Sequence, residues 1–412
     1  MPFIGLITYF FCLYIRPQDW IPLFLDLPVD YIVFAFIFLT GIFQRSAVRF
    51  GTILRMKQTR FMIYWIVAIF LSNFVNGQFE EAFDFLFKYI KFLVIFFAFS
   101  LYIDSFKKMT ALILFMIVLT AALSFQGMYQ KQHGIGWAGQ PLGWLDRIVW
   151  VGLWDGMNVL CLLFVVSFPF LLQFTGKMWS WRTRLLSFIG MPIIMIGIYL
   201  TDSRGGFMSL LSVFALHFRA RVRSVIGVVL GLGVLGALIV FSPSRFGDFN
   251  DEDNSASGRV DMWREAFDMV RYQPVLGIGK GRFAIYTGRL IAHNSFLEVM
   301  GETGVVGLFL WLSLLYVSLK GLFEARALAE NDQEKSIMEG LLICIVGYIF
   351  TSFFITAEFE LLYVLLALAL VATRLKNVSV RYSFADFRNV IGIQVVGMTG
   401  FFILTRIYYQ VF

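Results

Sequence analysis

Only three histidines occur in these 412 residues, and one of them sits where acid–base chemistry is easiest to arrange. His293 is followed by Asn294 and then by Ser295 and Glu298, the S-x-x-E spacing of a capping box, which predicts a helix beginning at Ser295. A side chain just ahead of a helix N-terminus lies beside unpaired N–H groups and the positive end of the helix dipole. That field favours an anion and helps keep an imidazole neutral and able to accept a proton. The alternative is a structural histidine at a membrane interface. His217, beside Arg219 at the end of an apolar run, reads as structural.

The second set of groups is cationic. Arg204 lies in Thr201-Asp-Ser-Arg-Gly-Gly206, where two glycines permit a sharp reversal or a close backbone approach. Arg259, Arg264, Arg271, Lys280, Arg282 and Arg289 follow within one long polar stretch, 242–295. The planar, forked guanidinium is the side chain best matched to phosphate oxygens, although Arg204 paired to Asp202 in a surface turn is also consistent with the sequence. Two tempting motifs fail on context. Gly277-Ile-Gly-Lys-Gly281 lacks the spacing of a nucleotide-binding P-loop and reads as a turn that could touch substrate. The acidic run Asp248 to Asp253 matches no EF-hand and reads as a solvated loop, so no metal site is expected.

These groups must be positioned by membrane helices. Hydrophobic residues make up 59% of the chain and charged residues 15%, with a mean hydropathy of +0.77. Soluble domains lie near about 45–50% and about 25%, so the chain is an all-α polytopic membrane protein. Its net charge of +7 then belongs to cytoplasmic loops, and no nucleic-acid partner is expected. Cys12, Cys161 and Cys344 all lie in apolar runs and read as small core residues. Apolar stretches at 3–15, 29–44, 61–75, 86–103, 111–126, 156–174, 185–200, 207–218, 224–241, 296–319, 337–355, 361–373 and 389–405 give about 12–13 transmembrane helices. They divide into an N-terminal group, 1–130, and a membrane domain, 131–412, that includes the large loop 242–295 between the ninth and tenth spans.

Lysine and arginine set the orientation. The connections 45–60, 104–110, 175–184, 219–223, 320–336 and 374–388 are basic, whereas 76–85 and 356–360 are acidic. The basic set is cytoplasmic by the positive-inside rule, which places the 242–295 loop outside. Another outer stretch, Gly127 to Asp155, carries Trp137, Trp144, Trp150 and Trp154, either an interfacial belt or an aromatic platform for a sugar or lipid. Gly301, Gly304 and Gly307 follow His293 at a spacing that lets helix backbones approach closely.

Taken in order, Arg204-Gly-Gly, Arg259 shortly before Trp263, Pro274-x-x-Gly-x-Gly, and His293-Asn294 with Gly304 and Gly307 behind it resemble the O-antigen ligase and polymerase superfamily. The resemblance runs from about 190 to 310. The early Ile15-Arg-Pro-Gln-Asp-Trp20 is similar to the branch of O-glycosylation ligases associated with exosortase systems. Leu308, where the ligase pattern often has a small or branched residue, departs toward the polymerases.

The resemblance implies a multi-pass protein of the bacterial inner membrane whose active site faces the periplasm. It would be an inverting, metal-independent glycosyltransferase with no cofactor. The implied donor is a glycan on undecaprenyl pyrophosphate and the acceptor a glycan, lipid or protein, with membrane lipids as further partners. Carried over by motif, Arg204 and Arg259 hold the pyrophosphate and His293 activates the acceptor hydroxyl, with Arg264, Asn294, Arg282 and Lys280 as further substrate contacts. Two other functions fit the sequence: a repeat-unit polymerase, and a polysaccharide exporter or flippase, which would carry ionisable residues deep in several spans, where Lys88 and Lys91 are the candidates here.

The orientation is open to a direct check. Of cysteines introduced at Ser255 and Ser105, only the first is expected to react with an impermeant thiol reagent in intact, outer-permeabilised cells; labelling of Ser105→Cys alone would invert the topology.

Overall fold

The computed structural model describes residues 2–25, 27–43, 50–221, 254–288 and 291–411. The predicted span 224–241, the acidic run Asp248 to Asp253 and Arg289 lie outside these residues. Among the described residues the regular structure is helical. The helices are α1 (Pro2–Ile15), α2 (Val29–Phe43), α3 (Phe50–Arg55), α4 (Lys57–Val75), α5 (Phe79–Tyr102), α6 (Phe106–His133), α7 (Met157–Phe174), α8 (Trp181–Leu200) and α9 (Arg204–Arg221). After them come α10 (Asn254–Tyr272), α11 (Phe283–Tyr286), α12 (Ser295–Ala327), α13 (Asp332–Thr351), α14 (Glu360–Leu375) and α15 (Phe384–Val411). A bilayer leaves no water to satisfy backbone N–H and C=O groups, so apolar runs of this length satisfy them internally as helices. Seven are long and apolar enough to cross a membrane (α4 to α8, α12 and α15), and shorter apolar helices cover Phe3–Ile15 and Tyr31–Thr40. Every apolar stretch read from the sequence, 224–241 apart, falls on a helix.

The chain forms two compact units, each assembled from three separate segments. The first comprises Met1–Ser46, Leu101–Phe249 and Ala325–Thr351. In it, α13 packs against α7 and α9, and α6 against α8. Two of the four outer tryptophans are neither belt nor platform. Trp150 and Trp154 are wholly buried, and their indole N–H groups donate to the carbonyls of Tyr14 (3.1 Å) and Leu13 (2.8 Å), anchoring the stretch before α7 to the end of α1. Trp137 and Trp144 are exposed. All three cysteines are free and buried.

The second unit comprises Ala47–Ser100, Asn250–Glu324 and Ser352–Phe412. Its helices have two chemically distinct ends. At one, Gln58 donates to Thr373 (3.3 Å) and Lys320 pairs with Asp386 (2.8 Å), beside a cavity of about 250 Å³ lined in part by Arg55, Lys57 and Arg374. At the other, the Asn76 amide donates to Gly277 O (2.8 Å), Ser295 N to Ser352 O (2.8 Å), and the Tyr409 hydroxyl to Asp261. Arg55, Lys57, Lys320 and Arg374, from three of the basic connections, thus lie at one end of this unit, and the polar stretch after residue 254 packs at the other.

Two features differ from the sequence reading. Much of the 242–295 loop is helix. Met262, Ala266 and Met269 recur at i, i+4 and i+7 on the buried face of α10, whereas the Arg264 and Arg271 side chains face outward, a periodicity that the many charges disguise. Of the spaced glycines of α12, Gly301 and Gly307 meet side chains of neighbouring helices, Met269 of α10 and Trp65 of α4, whereas Gly304 serves a different contact. Gly304 adopts φ 67°, ψ −170°, which interrupts the helical path. A Cβ there would collide with the Val275 carbonyl, so the close approach is of helix to loop and not of helix to helix. Val305 N and Val306 N donate to Pro274 O (3.0 Å) and Val275 O (3.2 Å) across this junction.

Gly304→Ala is therefore expected to destabilise the second unit by more than the roughly 1–3 kcal/mol of backbone strain alone, since the clash adds to it. Thermal unfolding in detergent measures the loss, with Gly392→Ala, whose Cβ would meet nothing within 4 Å, as the neutral comparison.

Candidate functional site

The helix predicted at Ser295 begins there, but the residue that caps it is Asn294. The Asn294 side-chain oxygen accepts from the N–H groups of Phe296 (3.0 Å) and Leu297 (3.2 Å), and its amide donates to Phe353 O (3.3 Å). Ser295 instead donates through its hydroxyl to Ile355 O (3.0 Å) and accepts from Ala357 N (2.8 Å). Glu298 reaches Ala292 N (3.4 Å) and Thr356 (2.5 Å). The S-x-x-E pattern thus binds the helix start to the 352–357 segment, and the cap falls one residue earlier. Asn294 is fully buried, and this geometry gives it a positioning task.

His293 is held directly outside that cap in the left-handed region, at φ 47°. Few non-glycine residues adopt this conformation without a surrounding structure that enforces it. The imidazole is mostly buried, and its pKa is pushed down to about 4, first by burial and then by the Arg259 guanidinium. The ring is therefore neutral at physiological pH, as the sequence predicts, but the causes are desolvation and a neighbouring cation. Arg259 lies in the first turns of α10. Arg264, five residues further along that helix, points elsewhere: it stands over the Tyr409 ring (5.4 Å to the centroid) and near Asp268 (3.9 Å).

The glycine-rich turn does cradle an anion, and the anion belongs to the protein. The Glu302 carboxylate accepts from Gly281 N (2.9 Å), Phe283 N (3.2 Å) and Lys280 Nζ (2.8 Å). Its backbone carbonyl accepts from Gly279 N (3.0 Å) and the Ser72 hydroxyl (2.6 Å). Gly277 has φ 71°, and a Cβ on it would strike the Glu302 backbone. Successive N–H groups converging on one carboxylate form an anion nest. Lys280 is buried between Glu302 and Glu358 (3.0 Å). Burial alone would lower its pKa, but the carboxylates of Glu302, Glu358 and Glu298 outweigh that and hold it well above the usual lysine value. Tyr89 and Tyr363 both donate to Glu358, and Trp65 donates to Tyr363 (2.7 Å). Arg282 pairs with Glu81. Two of the three loop cations proposed as further substrate contacts, Lys280 and Arg282, have partners inside the fold.

Arg204 belongs to the first unit, where it opens α9. Ser203 caps that helix by accepting from Gly206 N (3.2 Å), and its hydroxyl donates to Asn158 (2.8 Å). Buried Arg147 braces the same turn by donating to Thr201 O (2.5 Å) and Asn158 (2.9 Å). Sequence reasoning missed Arg147, Glu302 and Glu358. Glu302 had a usable signal, since an ionisable side chain inside an apolar helix needs a partner; nothing in the local sequence marks Arg147.

Residues 186–312 match the family described as O-antigen ligase. That stretch is similar to the O-antigen ligase family. Arg204, Arg259, His293, Glu302 and Gly304 all fall inside the matched stretch, and Ile15 to Trp20 fall outside it. A curated relative, the exopolysaccharide production protein ExoQ of Rhizobium meliloti (strain 1021), is 23% identical over 106 residues, covering 22% of this chain and 24% of that protein. The chain thus spans about a quarter of the length of that relative.

If Lys280 acts within the fold, Lys280→Met leaves two buried carboxylates uncompensated and should cost roughly 3–5 kcal/mol. Thermal unfolding checks this. An unchanged melting temperature with weakened donor binding would instead make Lys280 a substrate contact.

Proposed function

We propose that this protein transfers a glycan from polyprenyl pyrophosphate to an acceptor hydroxyl on the outer face of the inner membrane. The observation that carries this reading is His293, a neutral imidazole in a strained conformation beside a helix N-terminus, with Arg259 as the neighbouring cation. The family match supports a glycan-processing membrane protein, and the chemistry of these residues supplies the rest. With twelve or thirteen spans and the 242–295 stretch outside, as the apolar runs and their flanking charges predict, the proposed machinery would face the periplasm. The end of the second unit at which Asn76 meets Gly277 is then the outer end.

In the proposed reaction the acceptor oxygen attacks the anomeric carbon while the bond from that carbon to the diphosphate oxygen breaks. The leaving undecaprenyl diphosphate keeps the electron pair, the acceptor proton passes to His293, and the configuration at the anomeric carbon inverts. Charge grows on the diphosphate as the bond breaks, and fixed guanidiniums, assigned to Arg204 and Arg259, stabilise it without a divalent metal. General-base catalysis of this kind contributes about 100- to 10,000-fold. An imidazole with a pKa near 4 is a weak base at neutral pH. A bound diphosphate would neutralise the Arg259 field and raise that pKa, so the donor itself would prepare the base.

A second reading is a polymerase whose acceptor is another lipid-linked chain, and similarity to ExoQ, an exopolysaccharide production protein, is compatible with it. Both readings share the bond-breaking step and differ in the acceptor that restores turnover.

Purified protein given lipid-linked glycan and acceptor should release undecaprenyl pyrophosphate, undiminished in excess chelator. His293→Ala should bind donor almost normally while turnover falls about 100-fold or more. The pH profile carries the sign. Because the neutral imidazole is the active form, kcat/KM in the wild type should hold as pH falls below 6 and decline only toward pH 4. Arg259→Gln removes one of the two lowering influences and should move that limb upward. Normal turnover by folded His293→Ala would remove the base assignment.

A further inference from the structure

A cavity of about 270 Å³ opens between α10 and α15, lined by Arg264, Phe267, Asp268, Arg271, Phe402, Thr405, Arg406 and Tyr409. Three guanidiniums face it against the single carboxylate of Asp268, which sits 3.0 Å from Arg271. A second carboxylate, Asp261, lies behind the Tyr409 ring and accepts from its hydroxyl. The Arg264 and Arg271 side chains are each 63% exposed, so their remaining donors are open to a ligand. The wall is aromatic: Phe267 and Phe402 meet edge to face at 5.4 Å, and Arg406 stands over Phe402 at 5.4 Å.

The surroundings define the class of ligand. Below the cavity α15 presents Val395, Val396, Ile403, Leu404 and Ile407 outward, an apolar stripe exposed from mid-helix to the turn bearing Arg406. A cationic cup at the top of an apolar, lipid-facing stripe fits one kind of molecule. Its phosphate would lie among the arginines, at the depth where such side chains snorkel, and its chains would run down the stripe. We propose that this groove binds the headgroup of an anionic phospholipid. The lipid would bridge α10 to α15 on the face of α10 that bears Arg264 and Arg271, apart from Arg259, whose charge acts on His293. This inference is independent of the glycosyl-transfer reading, because it needs neither donor nor acceptor.

The test uses the full-length protein, delipidated in neutral detergent and given phosphatidylglycerol, phosphatidylcholine or inorganic phosphate, with bound lipid read by native mass spectrometry and thermal stability measured in parallel. Phosphatidylglycerol should bind and stabilise, and the other two should not. Arg271→Gln and Arg406→Gln should each weaken its binding about fivefold and the double variant about twenty-fivefold, whereas Arg388→Gln, exposed near the opposite end of α15, should leave it unchanged. Equal binding of phosphatidylcholine would overturn the proposal. So would equal protection by inorganic phosphate, which would make the groove a site for a free anion, or undiminished binding to a folded double variant. Should the double variant not fold, the three-ligand comparison on the wild type decides alone.

Discussion

The second unit depends on one buried carboxylate. Glu302 is buried in a largely apolar helix, where an unpaired charge would cost several kcal/mol. It is stabilised by two backbone N–H groups from the glycine turn and by the Lys280 ammonium. That requirement accounts for features that look unrelated in sequence. Gly277 must lack a Cβ to let the turn reach the helix, and Gly304 must break the helical path to receive Pro274 and Val275. Glu358, Tyr89, Tyr363 and Trp65 extend the network, joining the turn to α4, α5 and α14.

The consequence for chemistry is placement. The short first part of α12, from Ser295 to Thr303, lies between the Glu302 cradle and the Asn294 cap. Its start is bound to the 352–357 segment through Ser295 and Glu298. His293 extends from a helix end fixed on both sides, which is what a residue at φ 47° requires to persist. Rigidity bought at the cradle therefore becomes orientation at the imidazole, with neither group touching the other.

Electrostatics divides the cations by task. Lys280 and Arg282 are partnered within the unit, Arg259 acts on His293, and Arg264 and Arg271 look outward from another face of α10. A helical repeat of 3.6 residues sends Arg259 and Arg264 in different directions, so two arginines five positions apart do not serve one phosphate equally. In the first unit, Arg147 and Asn158 brace the turn that presents Arg204.

Composition and hydrophobic runs by themselves determined the membrane class, the helical fold and nearly every helix position, because a bilayer leaves an apolar run of this length little choice of backbone. The order of Arg204, Arg259, His293 and the glycines likewise marked the family, and the residues around Ser295 marked where a helix begins. Only tertiary structure decided which side chain caps that helix, which anion the glycine turn receives, and which arginine His293 feels. Each is an interaction between segments distant in sequence: Asn294 with Phe353, Lys280 with Glu302 and Glu358, the charge of Arg259 on His293. Such contacts depend on how helices rotate against one another, and that rotation is set by packing across the whole bundle, which a local pattern of residue types does not encode.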